Sequence, residues 1–240
     1  METSKTTQTL SIVAACVFTL GAMLAGYRSI GVPPVVIVGG AGVIGMLIWW
    51  RTYLRKPVDP RVILPPFLLC VAGLEVHMLE EYLTGFGPAM SRLFDISWTE
   101  QGFIMVFAFI GPALYSLTAL GLFYRIPIAG FVAWFIFVGP GVAELTHFVF
   151  PLIEPAILPE LREPISQSVS NGNFVADMPN YWIGTTGSYY FSGMYTAVLP
   201  MIPGIWAIVR TIRRLPKSAE ARHSGHAAPS AHRPSLSSPS

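Results

Sequence analysis

Charged side chains are scarce in this chain. Asp, Glu, Lys and Arg make up 12% of its 240 residues, whereas 52% of the residues are hydrophobic. Soluble domains carry about 25% charged residues, so this chain has about half the charge with which a water-soluble protein covers its exterior. High hydrophobicity with little charge also excludes disorder for the body of the chain. The composition therefore predicts a protein that folds in a lipid bilayer, with membrane lipids as its surroundings.

Cysteine and lysine are also rare, and their positions exclude several classes of protein. Cys16 and Cys70 both lie in apolar runs, which excludes a disulfide framework and a cysteine-based zinc site. Lysine occurs only at positions 5, 56 and 217, so none is placed to form a retinal Schiff base within the membrane. The chain has no phosphate-binding glycine-rich loop and no GxSxG motif. Its basic tail lacks interleaved aromatic residues, so we expect no nucleic-acid partner.

Apolar segments of the length that a membrane-crossing helix needs, about 20 residues, occur six times. They cover residues 9–27, 32–50, 62–83, 102–124, 126–150 and 186–209. The first lacks the strongly basic start and the cleavage site of a signal peptide, so we expect it to remain as an anchor. The pattern predicts an all-α fold, a polytopic membrane bundle of about six transmembrane helices.

Three regions are expected along the chain. Residues 1–61 contain two helices and a basic loop, and residues 62–212 contain a four-helix core with a long outer loop at 151–185. Residues 213–240 are rich in Ser, Pro and Ala without apolar periodicity, which predicts a disordered tail. A long loop of mixed composition is typical of a lid or a binding loop. Gly and Pro interrupt the fourth, fifth and sixth segments at 111–112, 139–141 and 203–204, where they either bend the helices around a cavity or serve only in packing.

The basic residues indicate an orientation. With a cytoplasmic N-terminus, twelve Lys and Arg residues fall inside, and three fall outside, namely Arg28, Arg92 and Arg162. Positively charged residues favour the cytoplasmic side of membrane proteins. We therefore predict that both termini are cytoplasmic.

Two of the apolar segments contain ionisable side chains, which are costly in hydrocarbon and usually face the interior of a bundle. The third segment contains Glu75, His77, Glu80 and Glu81, and the fifth contains Glu144 and His147. Helical spacing places His77, Glu80 and Glu81 within an arc of about 100°, whereas Glu75 points about 160° away. Glu144 and His147 are three residues apart and share a face.

The depth of these residues predicts that they meet. At 1.5 Å per residue, His77 to Glu81 lie about 22–29 Å above the inner end of the third helix, and Glu144 and His147 lie about 27–32 Å above the start of the fifth. We therefore expect one outward-facing site, toward the outer side of the membrane, with Glu100, Tyr189 and Tyr190 at its border.

A histidine and two glutamates in the third segment form a motif, His77-Met78-Leu79-Glu80-Glu81-Tyr82, followed by Gly85-Phe86. This motif resembles the signature of the HXXEE-domain membrane proteins, which also have a second histidine and a Tyr-x-Pro-Gly motif. His147 matches the second histidine. Met201-Ile202-Pro203-Gly204 stands in the place of the last motif, with Met instead of Tyr. The resemblance covers roughly residues 62–210 and implies a membrane-bound metalloenzyme without an established reaction.

A fainter similarity is to the emopamil-binding-protein and sterol-isomerase group. The shared features are His77 with Glu81, Gly111-Pro112, Glu144 and Pro203-Gly204. This similarity implies that buried acids and a histidine move a proton and shelter a carbocation. Glu100 lies about a turn too early to supply a further acid on the fourth segment.

Three functions remain open at this stage. The first is a site for zinc, iron or manganese, with ligands drawn from His77, Glu80, Glu81, Glu144 and His147. The second is metal-free acid–base catalysis on an apolar substrate such as a sterol or isoprenoid, with His77, Glu80, Glu81 and Glu144 as catalytic residues. Aromatic side chains would then face a cationic intermediate, the candidates being Trp98, Trp134, Tyr189, Tyr190 and Trp206. The third is non-catalytic, as a buried ionic cluster or a binding site for a lipid or other ligand.

Overall fold

A computed structural model of the chain describes residues 2–94, 98–153, 169–170, 173–174 and 189–213. In these residues the α-helices are α1 (Lys5–Ile30), α2 (Pro33–Thr52), α3 (Pro60–Leu83), α4 (Phe86–Phe94), α5 (Glu100–Ile104), α6 (Gly111–Phe123), α7 (Pro127–Val138), α8 (Phe150–Ile153) and α9 (Val198–Ile212). A π-helical segment covers Met105–Ile110 and a 3-10 segment covers Ala143–Phe148. Two short strands, β1 (Val169–Ser170) and β2 (Asn173–Phe174), pair antiparallel.

Five helical stretches in the described part of the chain are long and apolar enough to cross a membrane. They are Lys5–Ile30, Pro33–Thr52, Pro60–Leu83, Glu100–Phe123 and Pro127–Ile153. Large apolar side chains such as Leu10, Leu117 and Leu152 cover their outer faces, which a water-soluble monomer rarely shows over so wide an area. The predicted all-α bundle is confirmed, and the predicted segments agree with these five stretches to within a few residues.

The sixth predicted segment differs from a simple crossing helix. The last helix begins only at Val198 and has 15 residues, and turns occupy residues 192–197 before it. Gly193 has a φ of 87°, and the N–H groups of Tyr195 and Thr196 donate to the carboxylate of Glu80. Because these donors bond to a side chain, a regular helical ladder does not form there. Residues 192–197 of the sixth predicted segment are therefore irregular.

The fifth crossing is also broken, at the predicted Gly139-Pro140-Gly141 site. Helix α7 ends at Val138 and turns lead into the 3-10 segment. Pro140 has no N–H to donate, and the carbonyl of Ile136 accepts from Gly141 at 2.9 Å instead. In the fourth crossing the π-helical segment lies directly before Gly111 and Pro112. Two of the three predicted Gly-Pro sites thus coincide with departures from α-helix, whereas Pro203 lies inside α9.

Helix α3 is continuous and supports the broken segments. Asp59 caps its start, with the carboxylate accepting from the N–H of Arg61 at 2.8 Å, and Pro60 occupies the first turn. At Gly73 an added Cβ would lie 2.6 Å from the carbonyl carbon of Leu199, so the backbones of α3 and α9 are in direct contact. This contact therefore fixes the position of α9 along the axis of α3.

The loops at one end of the bundle lie together. The N–H of Thr3 donates to the carbonyl of Arg55 at 3.1 Å, and Arg125 lies 3.8 Å from Asp59. The N-terminus and the two loops at residues 53–59 and 124–126 therefore share one end. The His77–Glu81 stretch lies toward the opposite end of α3. Most of the predicted outer loop (154–168, 171–172 and 175–188) and the predicted disordered tail after residue 213 fall outside the described residues, and the division into regions stays a prediction.

Candidate metal centre

Helix α3 and the 3-10 segment at Ala143–Phe148 bring four ionisable side chains together. Helix α3 carries His77 and Glu81 one turn apart, so both project from the same face. The 3-10 segment carries Glu144 and His147, and side chains three residues apart are eclipsed in that geometry. The break after α7 matters for this reason, because it replaces the 3.6-residue period with a period of three. It therefore aligns Glu144 directly with His147.

The four side chains form a closed ring of contacts. Nε2 of His77 lies 3.3 Å from Oε1 of Glu81 and 3.1 Å from Oε2 of Glu144. Nε2 of His147 lies 3.2 Å from Oε1 of Glu81 and 2.8 Å from Oε2 of Glu144. Each nitrogen thus faces both oxygens, and the imidazole rings stand nearly perpendicular with their centroids 4.8 Å apart.

The ring lies almost entirely inside the protein. His77 is fully buried and Glu81 and His147 are 2% exposed, whereas Glu144 keeps 13% of its side chain accessible. A charge in such surroundings is costly unless it is paired or binds a metal. Of the four groups, Glu144 is therefore the one that a ligand from outside reaches most easily.

The outer nitrogens of both histidines are occupied. Nδ1 of His147 donates to the carbonyl oxygen of Ser192 at 2.7 Å, and Nδ1 of His77 lies 3.2 Å from the hydroxyl oxygen of Thr196. A histidine that binds a metal through one nitrogen commonly donates from the other to a carbonyl, a carboxylate or water. Both imidazoles are thus oriented with Nε2 toward the centre of the ring.

Gly193 closes the site from the side of the last crossing. An added Cβ at this position would lie 2.7 Å from Cγ of Glu81, 2.7 Å from Cε1 of His77 and 3.1 Å from Cε1 of His147. Its φ of 87° is in the region that favours glycine. The close approach and the backbone angle both require glycine here.

An aromatic wall surrounds His147. Phe86 stacks on the imidazole with centroids 5.5 Å apart and planes 29° apart, and Phe191 and Phe150 approach at 5.8 and 6.2 Å. Phe86 in turn contacts Trp98 and Phe103. This wall keeps water from the ring and gives an apolar surround in which charge interactions are strong.

The donor set can hold a metal ion. The four ligand atoms of His77, Glu81, Glu144 and His147 all lie within 4.8 Å of one another. Four ligands placed tetrahedrally 2.0–2.2 Å from one ion would lie about 3.4 Å apart. The four contacts around the ring, at 2.8–3.3 Å, are close to that separation, whereas the four atoms together span up to 4.8 Å. In addition, Oε2 of Glu81 is buried without a hydrogen-bond partner, so the ring has acceptor capacity that the described residues do not use.

Glu80 takes a different position from the other predicted site residues. Its carboxylate accepts from the hydroxyl of Tyr190 at 2.8 Å and from the N–H groups of Tyr195 and Thr196 at 3.3 and 2.7 Å. The hydroxyl of Thr196 also donates to it, at 2.5 Å. The structure therefore brings together four of the five predicted ligands and places Glu80 behind them.

The predicted border residues lie at different distances from the ring. Tyr190 contacts Glu80, as above, whereas the hydroxyl of Tyr189 donates to the carbonyl of Phe148 at 2.6 Å. Glu100 accepts from the hydroxyl of Tyr82 at 2.5 Å. Glu75 has one buried carboxylate oxygen without a partner, and it is not among the four clustered residues.

Only some of the predicted aromatic residues lie close to the ring. Trp98 belongs to the wall that surrounds His147. Trp134 is fully buried among apolar side chains away from the ring, where it packs against Phe137. Trp206 is half-exposed, and Arg210 lies 5.3 Å from its ring. Trp98 and Tyr190 are therefore the two of these residues that lie next to the site or its supporting carboxylate.

Three site residues were not identified from the sequence, namely Ser192, Gly193 and Thr196. A signal for them exists, since two hydroxyl residues four apart flank a glycine within an apolar segment. Such polar residues in a membrane segment bond to backbone or to neighbouring helices. Here they support both histidines.

Comparison with known proteins adds no assignment to this geometry. No protein-family model, curated protein or solved structure matches the chain.

Proposed function

We propose that this protein is a membrane-embedded metalloenzyme that acts on a lipid or another apolar substrate. The observation that carries the proposal is the convergence of two imidazole nitrogens and two carboxylate oxygens on one buried point. The similarity of His77, Glu80, Glu81 and His147 to the HXXEE signature supports the same conclusion.

The outer hydrogen bonds favour a metal at the centre. In its neutral form, each imidazole with its proton on Nδ1 would present the lone pair of Nε2 to the carboxylate oxygens. Two nitrogen lone pairs and two carboxylates in contact repel one another unless a cation lies between them. The unpartnered Oε2 of Glu81 adds a further acceptor in the same place.

The ligand types favour zinc, iron or manganese. Imidazole and carboxylate suit these ions, and sulfur takes no part, since the thiol of Cys70 donates to the carbonyl of Pro200. One ion is expected rather than a carboxylate-bridged pair. A pair would need a further carboxylate, and both oxygens of Glu80 already accept hydrogen bonds from the turn before α9.

The surrounding residues suit chemistry on an apolar molecule. A bound ion would supply Lewis-acid activation of an oxygen in the substrate or in water. Oε2 of Glu81 is buried without a hydrogen-bond partner among the described residues, so it would serve as the proton acceptor. Phe86, Phe150 and Phe191 would contact hydrocarbon and exclude bulk water. The partly accessible Glu144 marks the side from which a substrate enters.

The decisive test is the metal content of the detergent-purified protein, measured by mass spectrometry. We expect near-stoichiometric zinc, iron or manganese in the wild type and less than about a tenth of that amount in a His77→Ala/His147→Ala variant, because two of four ligands are lost. Glu75→Gln is the matched control, since it removes a carboxylate from the same helix but outside the ring, and it should keep the metal. Size-exclusion chromatography verifies that each variant is folded.

A second candidate function is metal-free proton transfer. It is favoured by the charge balance of the ring, because two imidazolium groups would neutralise two carboxylates and all four contacts are within 3.3 Å. A wild-type protein that stays empty after reconstitution with each of the three metals would overturn the metal proposal. Assays would then turn to acid–base isomerisation of sterol-like or isoprenoid lipids.

A further inference from the structure

The turn before α9 binds the outer nitrogen of both histidines, but it does so in two different ways. His147 donates to a backbone carbonyl, that of Ser192. His77 instead faces a side chain, the hydroxyl of Thr196. The orientation of His147 therefore follows from the path of the chain, whereas that of His77 depends on one hydroxyl group and on whatever fixes its proton.

The proton of the Thr196 hydroxyl has a defined place. Its oxygen lies 2.5 Å from Oε2 of Glu80, and a carboxylate accepts but does not donate, so the single hydroxyl proton lies between these two oxygens. The hydroxyl oxygen then has only lone pairs to offer to Nδ1 of His77. That nitrogen must therefore carry the proton of the bond. Glu80 thus determines both donors: Thr196 donates to Glu80, and His77 donates to Thr196.

Glu80 itself is held firmly. Four hydrogen bonds reach its two oxygens, three from Tyr195 and Thr196 of the turn and one from Tyr190 just before it. Because both oxygens accept, the carboxylate cannot rotate away without breaking several bonds. Glu80 therefore anchors the turn to α3 and also orients the Thr196 hydroxyl.

We propose that Glu80 and Thr196 are positioning residues for the metal centre, which hold His77 as the tautomer with its proton on Nδ1 and so direct the Nε2 lone pair to the ion. This inference rests on the metal site proposed above and assigns a role to the one signature glutamate that is not in the ring. Outer hydrogen bonds of this kind raise the basicity of the ligand, and their loss typically weakens metal binding about 10- to 100-fold.

Zinc affinity of the full-length protein in detergent tests the role of Thr196. Zinc is the probe because such a site binds it more tightly than manganese or iron(II). We expect Thr196→Val to bind zinc about 10- to 100-fold more weakly than the wild type in competition with a chelator. This variant keeps the backbone N–H that bonds to Glu80, so the turn stays attached. Thr196→Ser restores the hydroxyl and should restore the affinity.

Thr52→Val is the matched control. The hydroxyl of Thr52 donates to the carbonyl of Ile48 within its own helix, at 2.7 Å, and it is far from the ring. Its zinc affinity should equal that of the wild type. Thermal unfolding of the metal-free proteins reports whether Thr196→Val changes more than the site.

A second measurement applies to the wild type and does not depend on the folding of any Thr196 variant. The chain has five histidines, so nitrogen NMR of zinc-loaded protein labelled at histidine resolves them, with His77→Ala as the assignment. We expect Nδ1 of His77 to carry a proton and Nε2 to bind zinc.

The outcomes are distinct. Wild-type affinity in Thr196→Val, no rescue by Thr196→Ser, or coordination of zinc through Nδ1 of His77 would each overturn the positioning role while leaving the metal site in place. A wild-type protein that binds none of zinc, iron and manganese would overturn both proposals. Weak binding by Thr196→Val, rescue by serine and an Nδ1 proton on His77 together establish the role.

Discussion

The ring of His77, Glu81, Glu144 and His147 depends on one residue that has no functional group. Gly193 combines a φ of 87° with a position less than 3 Å, measured from a built Cβ, from carbon atoms of His77 and Glu81. Any side chain at this position would collide with His77 and Glu81. The four side chains can therefore approach one another only because Gly193 has no side chain.

Replacement of Gly193 by alanine should damage the site more than the fold. The strain of a positive φ costs about 1–2 kcal/mol, and the new methyl group would push Glu81 and His77 apart. We expect Gly193→Ala to lose most of its bound metal, measured by mass spectrometry. Gly40→Ala is the control, because a Cβ there has nothing within 4 Å and should leave the metal content unchanged. Full metal content in Gly193→Ala would contradict this account of the close approach.

At the residue level, the sequence predicted which residues cluster but not the role of each. Helical angles place Glu80 and Glu81 on opposite sides of His77 at similar offsets, so spacing cannot choose between them. The choice is made by the turn before α9, which directs three hydrogen bonds to Glu80, and by Tyr190, which adds a fourth. That turn lies more than a hundred residues further along the chain. Its path is set by tertiary contacts that the local sequence does not encode.

At the level of elements, one continuous helix faces two interrupted crossings. Helix α3 carries His77 and Glu81 on a regular backbone, whereas the 3-10 segment and the turn before α9 supply the remaining groups. Irregular backbone at membrane depth persists only where its polar groups are satisfied by the protein or by water. Here Glu80 and the histidines satisfy several of them. The site and the interruptions therefore stabilise each other.

The contact between α3 and α9 fixes the height of that turn, and it can be tested at Gly73. An added Cβ there would meet the carbonyl carbon and oxygen of Leu199 at 2.6 and 2.7 Å, and backbone atoms cannot move aside as a side chain can. We expect Gly73→Ala to separate the helices and to lower the free energy of unfolding by about 1–3 kcal/mol, the usual cost of overpacking. Thermal unfolding in detergent measures this change.

Gly21→Ala provides the comparison for that experiment. It also lies in a long apolar helix, but a Cβ at Gly21 has nothing within 4 Å. Its midpoint of unfolding should stay within a degree or two of the wild type, since surface changes of this kind are nearly neutral. Equal midpoints for Gly73→Ala and the wild type would show that α3 and α9 are not in close contact.

The extent of the helices was the most predictable feature of the fold, and the last crossing was the least. A backbone in hydrocarbon must satisfy its own hydrogen bonds, so long apolar segments become helices. The break at Gly139-Pro140-Gly141 is visible in the sequence because Pro140 removes an N–H. The turn at 192–197 has no proline, and its one glycine and two hydroxyl residues are common in membrane helices. Its departure from helix arises from bonds to Glu80.

At the level of the whole molecule, the N-terminus and two loops that carry basic residues lie at the end opposite the site. The contacts of Thr3 with Arg55 and of Arg125 with Asp59 gather the N-terminus and two basic loops at one end of the bundle. His77 is 17 residues from Pro60 along α3, which corresponds to about 26 Å. Together with the excess of positive charge, this separation predicts that the site opens away from the cytoplasm.

Cysteine labelling in intact cells checks this orientation. In a background with Cys16→Ser and Cys70→Ser, we expect Arg28→Cys to react with a membrane-impermeant maleimide from outside. Lys56→Cys and Arg125→Cys should react only after the membrane is permeabilised, because their loops are cytoplasmic in the predicted topology. The reverse pattern would place the site on the cytoplasmic side. All three positions are on loops or helix ends, so the substitutions themselves should be tolerated.

The dispersal of the site along the chain has a consequence for the order of assembly. His77 and Glu81 enter the membrane with the third crossing and Glu144 and His147 with the fifth, but the hydroxyl that binds His77 is 119 residues downstream of it. A growing polypeptide that has inserted only its first five crossings holds every ligand and lacks the groups that orient the imidazoles. If the proposed site binds a metal, the metal is therefore expected to enter only after the turn at 192–197 and α9 have folded, as the last step of assembly.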